Sequence, residues 1–429
     1  MSRSPSSARS LSGGSLAVMV GLGLLGLANL LLLSLAGRDL GPEAYAPLSV
    51  TWTAVNAVGI GLFIPAEQEI SRRTAARRAS GQQAPMLTHV LRYLGLMSLA
   101  LLGLGLVAQD WLARTFFSGD RPMVLFTVAA LVATGIEYAA RGVLSGSGRF
   151  VLYGAQLMVD GLARALITVV IFVAGWGDTE AYAWALVVAP LVATVASLSP
   201  QVLRWLRDHP SPVENPVPLT PLIATTLTQQ LVGNSGPLAI AALAGAADRE
   251  ATGNLVSAIT IGRLPVMVYA AVQAVILPTL AGLVAQGSVT RLRQALRTAL
   301  LLTVGIGLVG ASGIAGLGPW ALRLVYGPAF SVSWLHLVLI ALSGAALMLA
   351  LALGQSLQAF LLDRLVLLGW ALGLLVTVAT LWLPGPLTSR VVMALLAGAT
   401  TSAVCHGIVL RRVVAQWSAQ RVVTEGPVS

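Results

Sequence analysis

The 429-residue sequence contains no lysine, so all 26 of its basic residues are arginine, and it holds one cysteine and four histidines. A lone Cys405 cannot close an internal disulfide. His89, His209, His336 and His406 never reach metal-ligand spacing with one another or with that cysteine, so no metal site is expected. Charge is equally scarce: 10% of the residues are charged and 56% hydrophobic, where a soluble domain carries about a quarter charged residues. A water-soluble globular protein is excluded. There is no G-x-x-x-x-G-K-[ST] sequence and no nucleophile elbow, so neither ATP hydrolysis nor serine-type catalysis is expected. What is present is apolar sequence recurring from Ser15 to Leu410 without a long polar interruption, and a mean hydropathy of +0.84. That pattern describes an all-α, multi-pass integral membrane protein. Its formal charge of +10 is then read as arginine retained on the cytoplasmic face rather than as nucleic-acid binding.

A bilayer core of about 30 Å needs about 20 apolar residues in a helix, because in hydrocarbon every backbone group must bond within its own segment. Twelve segments qualify, near 15–36, 48–66, 87–108, 122–142, 150–175, 181–200, 219–246, 253–283, 294–316, 332–356, 365–384 and 389–410. The first ends in Ser34-Leu35-Ala36, with small residues at the outer two positions as in a signal cleavage site, but its 22 residues exceed the ~7–15 of a signal core, so it is expected to remain as a helix. A cytoplasmic N-terminus places 18 of the 26 arginines inside, and an even number of spans returns the C-terminus to the same side.

Arg204 and Arg207, followed by Pro210, Pro212, Pro216, Pro218 and Pro221, forbid a continuous helix. The expected organisation is therefore a cytoplasmic tail at 1–14, a six-helix lobe at 15–200, a Pro-rich cytoplasmic linker at 201–218, a second six-helix lobe at 219–410 and a cytoplasmic tail at 411–429. The lobes share short matches at a nearly constant offset. Leu35-Ala36-Gly37 lies 208 residues before Leu243-Ala244-Gly245, and Trp111-Leu112-Ala113-Arg114 lies 209 before Trp320-Ala321-Leu322-Arg323. Six is even, so both copies enter the membrane from one side and form a parallel repeat. Gly21-x-Gly23-x-x-Gly26 and Gly305-x-Gly307-x-x-Gly310 sit inside apolar spans with no strand before them. Close helix packing, not dinucleotide binding, is their expected role.

A charge near the bilayer centre costs roughly 2.5–3.5 kcal/mol on insertion scales, so those that persist need a partner or water. In span 5, Gln156, Asp160 and Arg164 recur every four residues on one helical face. Asp160 and Arg164 can neutralise each other or face a cavity. Glu137 lies one turn before Arg141 in span 4, near enough to the membrane edge to suggest a snorkelling interfacial pair. Arg263 in span 8 has no acid three or four positions away. It therefore requires a partner elsewhere, water or an anionic ligand, and the guanidinium fork suits a pyrophosphate. Thr226, Gln230 and Asn234 form a polar stripe on span 7, able to meet sugar hydroxyls or to bond between helices. Gln355 and Gln358 in span 10 offer the same choice, as do Asn29 and Asn56.

Leu35-Ala36-Gly37-Arg38-Asp39-Leu40-Gly41-Pro42-Glu43-Ala44-Tyr45 resembles the segment after the first helix of polysaccharide and oligosaccharide flippases, and Val325-Tyr326-Gly327-Pro328-Ala329-Phe330 resembles a second segment of that family. The superfamily also contains the multidrug and toxin extruders and the peptidoglycan-precursor flippase. The resemblance implies a MATE-like fold of twelve helices in two six-helix lobes, alternating access, and transfer of a polyprenyl-pyrophosphate-linked oligosaccharide across the plasma membrane. It also implies membrane lipids and the glycosyltransferases or polymerase of the same pathway as partners. No cofactor is expected beyond a coupling ion, Na or H. Two other readings stay open. One is a cation-coupled small-molecule exporter with Asp160 as the coupling carboxylate. The other is a membrane glycosyltransferase or polymerase using Asp39 and Glu43, although the short outer loops favour a cap or turn role for both.

Overall fold

A computed structural model describes residues 5–79, 87–198, 220–244 and 248–424, and among them there is no strand. The Pro-rich linker at 201–218 lies outside the described residues. The helices are α1 (Pro5–Ala54), a π-helical turn (Val55–Gly59), α2 (Ile60–Ala79), α3 (Leu87–Val107), α4 (Gln109–Phe116), α5 (Arg121–Gly146), α6 (Phe150–Ala174) and α7 (Thr179–Ser197), then α8 (Thr220–Ala244), α9 (Arg249–Gly262), α10 (Leu264–Gln286), α11 (Val289–Tyr326), α12 (Trp334–Gln358), α13 (Asp363–Leu381) and α14 (Leu387–Thr424). Two compact units result, one of Met1–Thr226 with Gly245–Gly253 and one of Leu227–Ala244 with Asn254–Ser429.

Among the described residues, eight helices are long and apolar enough to cross a bilayer, and up to ten spans result if each of two bent pairs is counted as one. Length and composition alone thus stop short of the expected twelve. One reason is the continuous stretch Leu16–Ala75, which counts once at 60 residues although a straight helix of that length would measure about 90 Å. It is broken at Gly41, whose φ of 68° and ψ of 171° are not helical. The other reason is α8, where Gln229, Gln230 and Asn234 dilute the apolar residues. Several helices also outrun the apolar segments that define them. α1 begins at Pro5, α11 runs 38 residues, and α14 continues past Leu410 to Thr424.

Local signals set the ends. Asp120 caps α5 by accepting from Met123 N at 3.2 Å, Asp178 caps α7 through Ala181 N at 2.6 Å, and Ser333 caps α12 through His336 N at 3.3 Å, each satisfying a first-turn N–H. Gly41 and Gly327 (φ 102°, ψ 170°) both precede a proline, in a backbone region that is essentially restricted to glycine.

In the first unit α1 packs along α6. A Cβ on Gly21 would stand 2.6 Å from Gly154 O, so the two backbones touch, as small residues permit in membrane helices. In the second unit α12, α13 and α14 close on fully buried Trp370 and His406, the imidazole sitting 3.2 Å from Ala350 O and 3.0 Å from Val366 O. Gly307 meets Ala345, with a Cβ there only 3.0 Å away, and Gly310 backs onto Pro265. Outward, Leu99, Leu106, Leu166, Val309 and Leu375 are exposed. An apolar exterior of this kind is suited to lipid and not to water.

Candidate functional site

The polar residues singled out in the sequence form one joined cluster, in the first unit; Arg263, Gln355 and the stripe on α8 make no hydrogen bond with one another among the described residues. In the cluster, the i, i+4 spacing on α5 and α6 puts Glu137 below Arg141 and Asp160 below Arg164. Arg141 Nη2 donates to Glu137 Oε1 at 2.6 Å and lies 3.8 Å from Asp160 Oδ2. Arg164 Nη2 donates to both oxygens of Asp160, at 2.9 and 3.2 Å, and Arg164 Nη1 donates to Asn29 Oδ1 on α1 at 2.7 Å. Gln156 Nε2 reaches Glu137 O at 3.5 Å. These two arginines and two acids alternate in sign, and Glu67 of α2 adds a third acid on the Arg141 side.

The pair Glu137–Arg141 does not snorkel to an interface. Both residues are buried, 2% and 5% exposed, because α6 covers that face of α5 and Asp160 supplies a second acid. The Arg141 guanidinium also lies 4.9 Å above the Tyr138 ring, a cation–π arrangement. Nearby, Tyr153 OH donates to Glu67 Oε1 at 3.0 Å, a link between α6 and α2. On α2, Glu69 accepts from Arg72 at 2.9 Å and from Arg73. Asp39, considered above as an enzyme carboxylate, accepts from Tyr182 OH at 2.7 Å and so ties α1 to α7, while Glu43 is exposed.

In the second unit, Arg263 occupies the break between α9 and α10, with φ −102° and ψ 3°; the two helices bend by 41° there. Pro265 explains the break, since a proline lacks an N–H and clashes with a preceding helical turn. The break is fixed by its neighbours: a Cβ on Gly344 of α12 would meet Val266 at 3.4 Å and Gly262 O at 3.5 Å, and Pro265 packs against Gly310 of α11. Arg263 makes no ion pair or side-chain hydrogen bond with the described residues, and its Nε is buried without a partner. Gln355 Oε1 is likewise buried without one. The stripe on α8 bonds mainly to itself: Asn234 Nδ2 donates to Gln230 O at 3.0 Å and Oε1 at 3.2 Å, and Thr226 donates to Leu222 O at 2.9 Å.

Asn29, Glu67 and Tyr153 carry more of the first cluster than their sequence context indicated. Glu67 falls in what reads as a polar loop after span 2, and only the register between α2 and α6 brings it to Tyr153. Among the described residues no group of three or more His, Cys, Asp and Glu could hold a metal ion.

No protein-family model matches the chain. An uncharacterized protein of Mycobacterium tuberculosis is 27% identical over 393 residues, covering 88% of this chain and 87% of its own length, and one of Mycobacterium bovis is 25% identical over 395 residues with the same coverage. Among solved structures, an inward-facing multidrug resistance MATE family transporter of the MOP superfamily superposes with a TM-score of 0.67 at 16% identity, over 92% of this chain and 96% of the other. A MOP superfamily transporter from Pyrococcus furiosus, for which a reversed polarity of the binding pocket is taken to suggest a different function, gives 0.62 at 16% identity over 95% and 96%. At such identities the likeness speaks to architecture alone, and the architecture of this multi-pass membrane protein is that of the MATE transporters.

Proposed function

We propose that the chain is an alternating-access transporter, not an enzyme, and that it moves a polyprenyl-pyrophosphate-linked oligosaccharide across the cell membrane. The observation that carries this reading is Arg263: a guanidinium without an ion partner, held at a break in a membrane span. Discontinuous spans recur at transporter substrate sites because they expose backbone and helix ends at membrane depth. An unpaired cation there calls for an anion, and a planar fork suits pyrophosphate oxygens. Gln230, Asn234, Thr226 and Gln355 would meet the sugar, while the polyprenyl tail stays in the bilayer. Gln156, Glu137, Asp160 and Arg164, with Arg141 completing the charge balance of the two acids, would serve as a polar lining within the first unit. The Gly-Pro breaks at Gly41 and Gly327, in the segments resembling the polysaccharide flippases, support the same reading. Enzymes that build or polymerise the glycan would be its partners.

The test is leaflet exchange of a fluorescent polyprenyl-pyrophosphate-linked sugar in proteoliposomes. Wild type should exchange it, and Arg263→Gln should slow exchange at least about tenfold, equivalent to roughly 1.4 kcal/mol of binding, with Arg263→Lys intermediate. Absence of protein-dependent exchange under every ion gradient would refute the proposal.

A second reading is favoured by the structural neighbours named as multidrug resistance transporters: a proton- or sodium-coupled exporter with Asp160 as the coupling carboxylate. Efflux of organic cations that survives Arg263→Gln and disappears in Asp160→Asn would select it.

A further inference from the structure

Between Glu250 and Asp363 the sequence contains no acidic residue, yet it carries Arg263, Arg291, Arg293, Arg297 and Arg323. Three of these five lie in the first three turns of α11, where the helix dipole disfavours cations. None of the three makes an ion pair or side-chain hydrogen bond with the described residues. Intramolecular pairing therefore does not explain them.

Beside them runs a groove of about 390 Å³ between α10 and α11, within the 300–1,000 Å³ typical of ligand sites. Its α11 wall repeats with helical period, Arg291, Gln294, Thr298, Leu302, and its α10 wall presents Val272, Val275 and Thr279 over the buried Ile276 and Leu280. From Arg291 to Leu302 is about 17 Å along the helix, close to half of a bilayer core. The groove is thus cationic and polar at the end near the Gly287 turn and apolar at the other, over the depth of one leaflet.

We propose that this groove is a binding site for an anionic phospholipid, its phosphate on Arg291 with Gln294 beside it and one acyl chain along Val272, Val275 and Leu302. The occupant is a membrane lipid because the cationic end opens into a long apolar trough, which a free anion would leave empty. Basic pockets between membrane helices bind anionic headgroups on the same physical basis.

The experiment is native mass spectrometry of the purified full chain with phosphatidylglycerol and phosphatidylcholine as competing probes. Wild type should retain phosphatidylglycerol over phosphatidylcholine by about tenfold. Arg291→Gln should abolish that preference, and Ala295→Phe, which fills the groove, should abolish retention of both lipids. Arg323→Gln, at the opposite end of α11, should change neither. Gel filtration of each variant separates loss of the site from loss of the fold, and Arg291→Gln, at an exposed position, is the variant on which the decision rests. Equal retention of the two lipids by wild type, a preference that survives Arg291→Gln, or displacement of phosphatidylglycerol by inorganic phosphate would each overturn the assignment.

Discussion

Within the buried cluster of α5 and α6, Asp160 is the acid that faces both arginines, taking two hydrogen bonds from Arg164 and lying 3.8 Å from Arg141. Removing one partner of a buried pair leaves the other charge uncompensated, at a cost of about 3–5 kcal/mol. Asp160→Asn is therefore expected to lower the thermal midpoint in detergent sharply. Glu137→Gln should cost less, because Arg141 keeps Asp160 within reach. The double variant Asp160→Asn/Arg164→Gln should lose less than the sum of its parts, since it leaves no stranded charge. Equal losses for Asp160→Asn and Glu137→Gln would contradict the coupling between them. Arg263 is the opposite case: with no ion partner to strand, Arg263→Gln should leave the unfolding free energy within about 1 kcal/mol of wild type while reducing transport. The i, i+4 pairs within α5 and α6 were legible in the sequence, because helical spacing alone brings them together. The contacts with Asn29 and between Tyr153 and Glu67 were not, because they depend on how α1 and α2 are rotated about α6.

At the scale of elements, breaks matter more than lengths. Gly41 and Gly327 hold backbone angles that L side chains avoid, and no atom lies within 4 Å of a Cβ at Gly41. Gly41→Ala is therefore expected to cost about 1–3 kcal/mol from backbone strain alone, read by unfolding in detergent, whereas Gly282→Ala, in open space within α10, should be neutral or slightly stabilising. A Gly41→Ala variant as stable as wild type would show that the hinge relaxes. Gly-Pro pairs make such breaks visible in advance. The break at Arg263 was less so: the sequence reads as one span over 253–283, and the only signal was Pro265, which biases the residues before it away from the helix. The 75° bend between α3 and α4 has neither glycine nor proline at Ala108, so nothing in the sequence announced it.

For the whole molecule, composition was sufficient to specify an all-helical membrane protein, because scarce charge and sustained apolar runs permit little else. The number of spans was harder to read, since a helix through Gly41 merges two segments and α8 is diluted by its own polar stripe. Chemistry at membrane depth is where the two units differ. The first places Arg141 and Arg164 among Glu137, Asp160 and Glu67, and the second offers Arg263, which has no acidic partner among the described residues. If the unpaired cation serves a pyrophosphate, binding should fail when the ligand loses its charge: a neutral polyprenyl glycoside should exchange between leaflets no faster in the presence of the protein than in its absence. Exchange of both lipids at the same rate would point to nonspecific scrambling. The most direct measurement is site-resolved chemical protection. Purified protein is treated with phenylglyoxal, with and without polyprenyl pyrophosphate, and modification of Arg263 is quantified by peptide mass spectrometry. Selective protection of Arg263 by about tenfold, with Arg323 modified equally in both samples, is the expected result; modification of Arg263 to the same extent with and without the ligand would contradict the account.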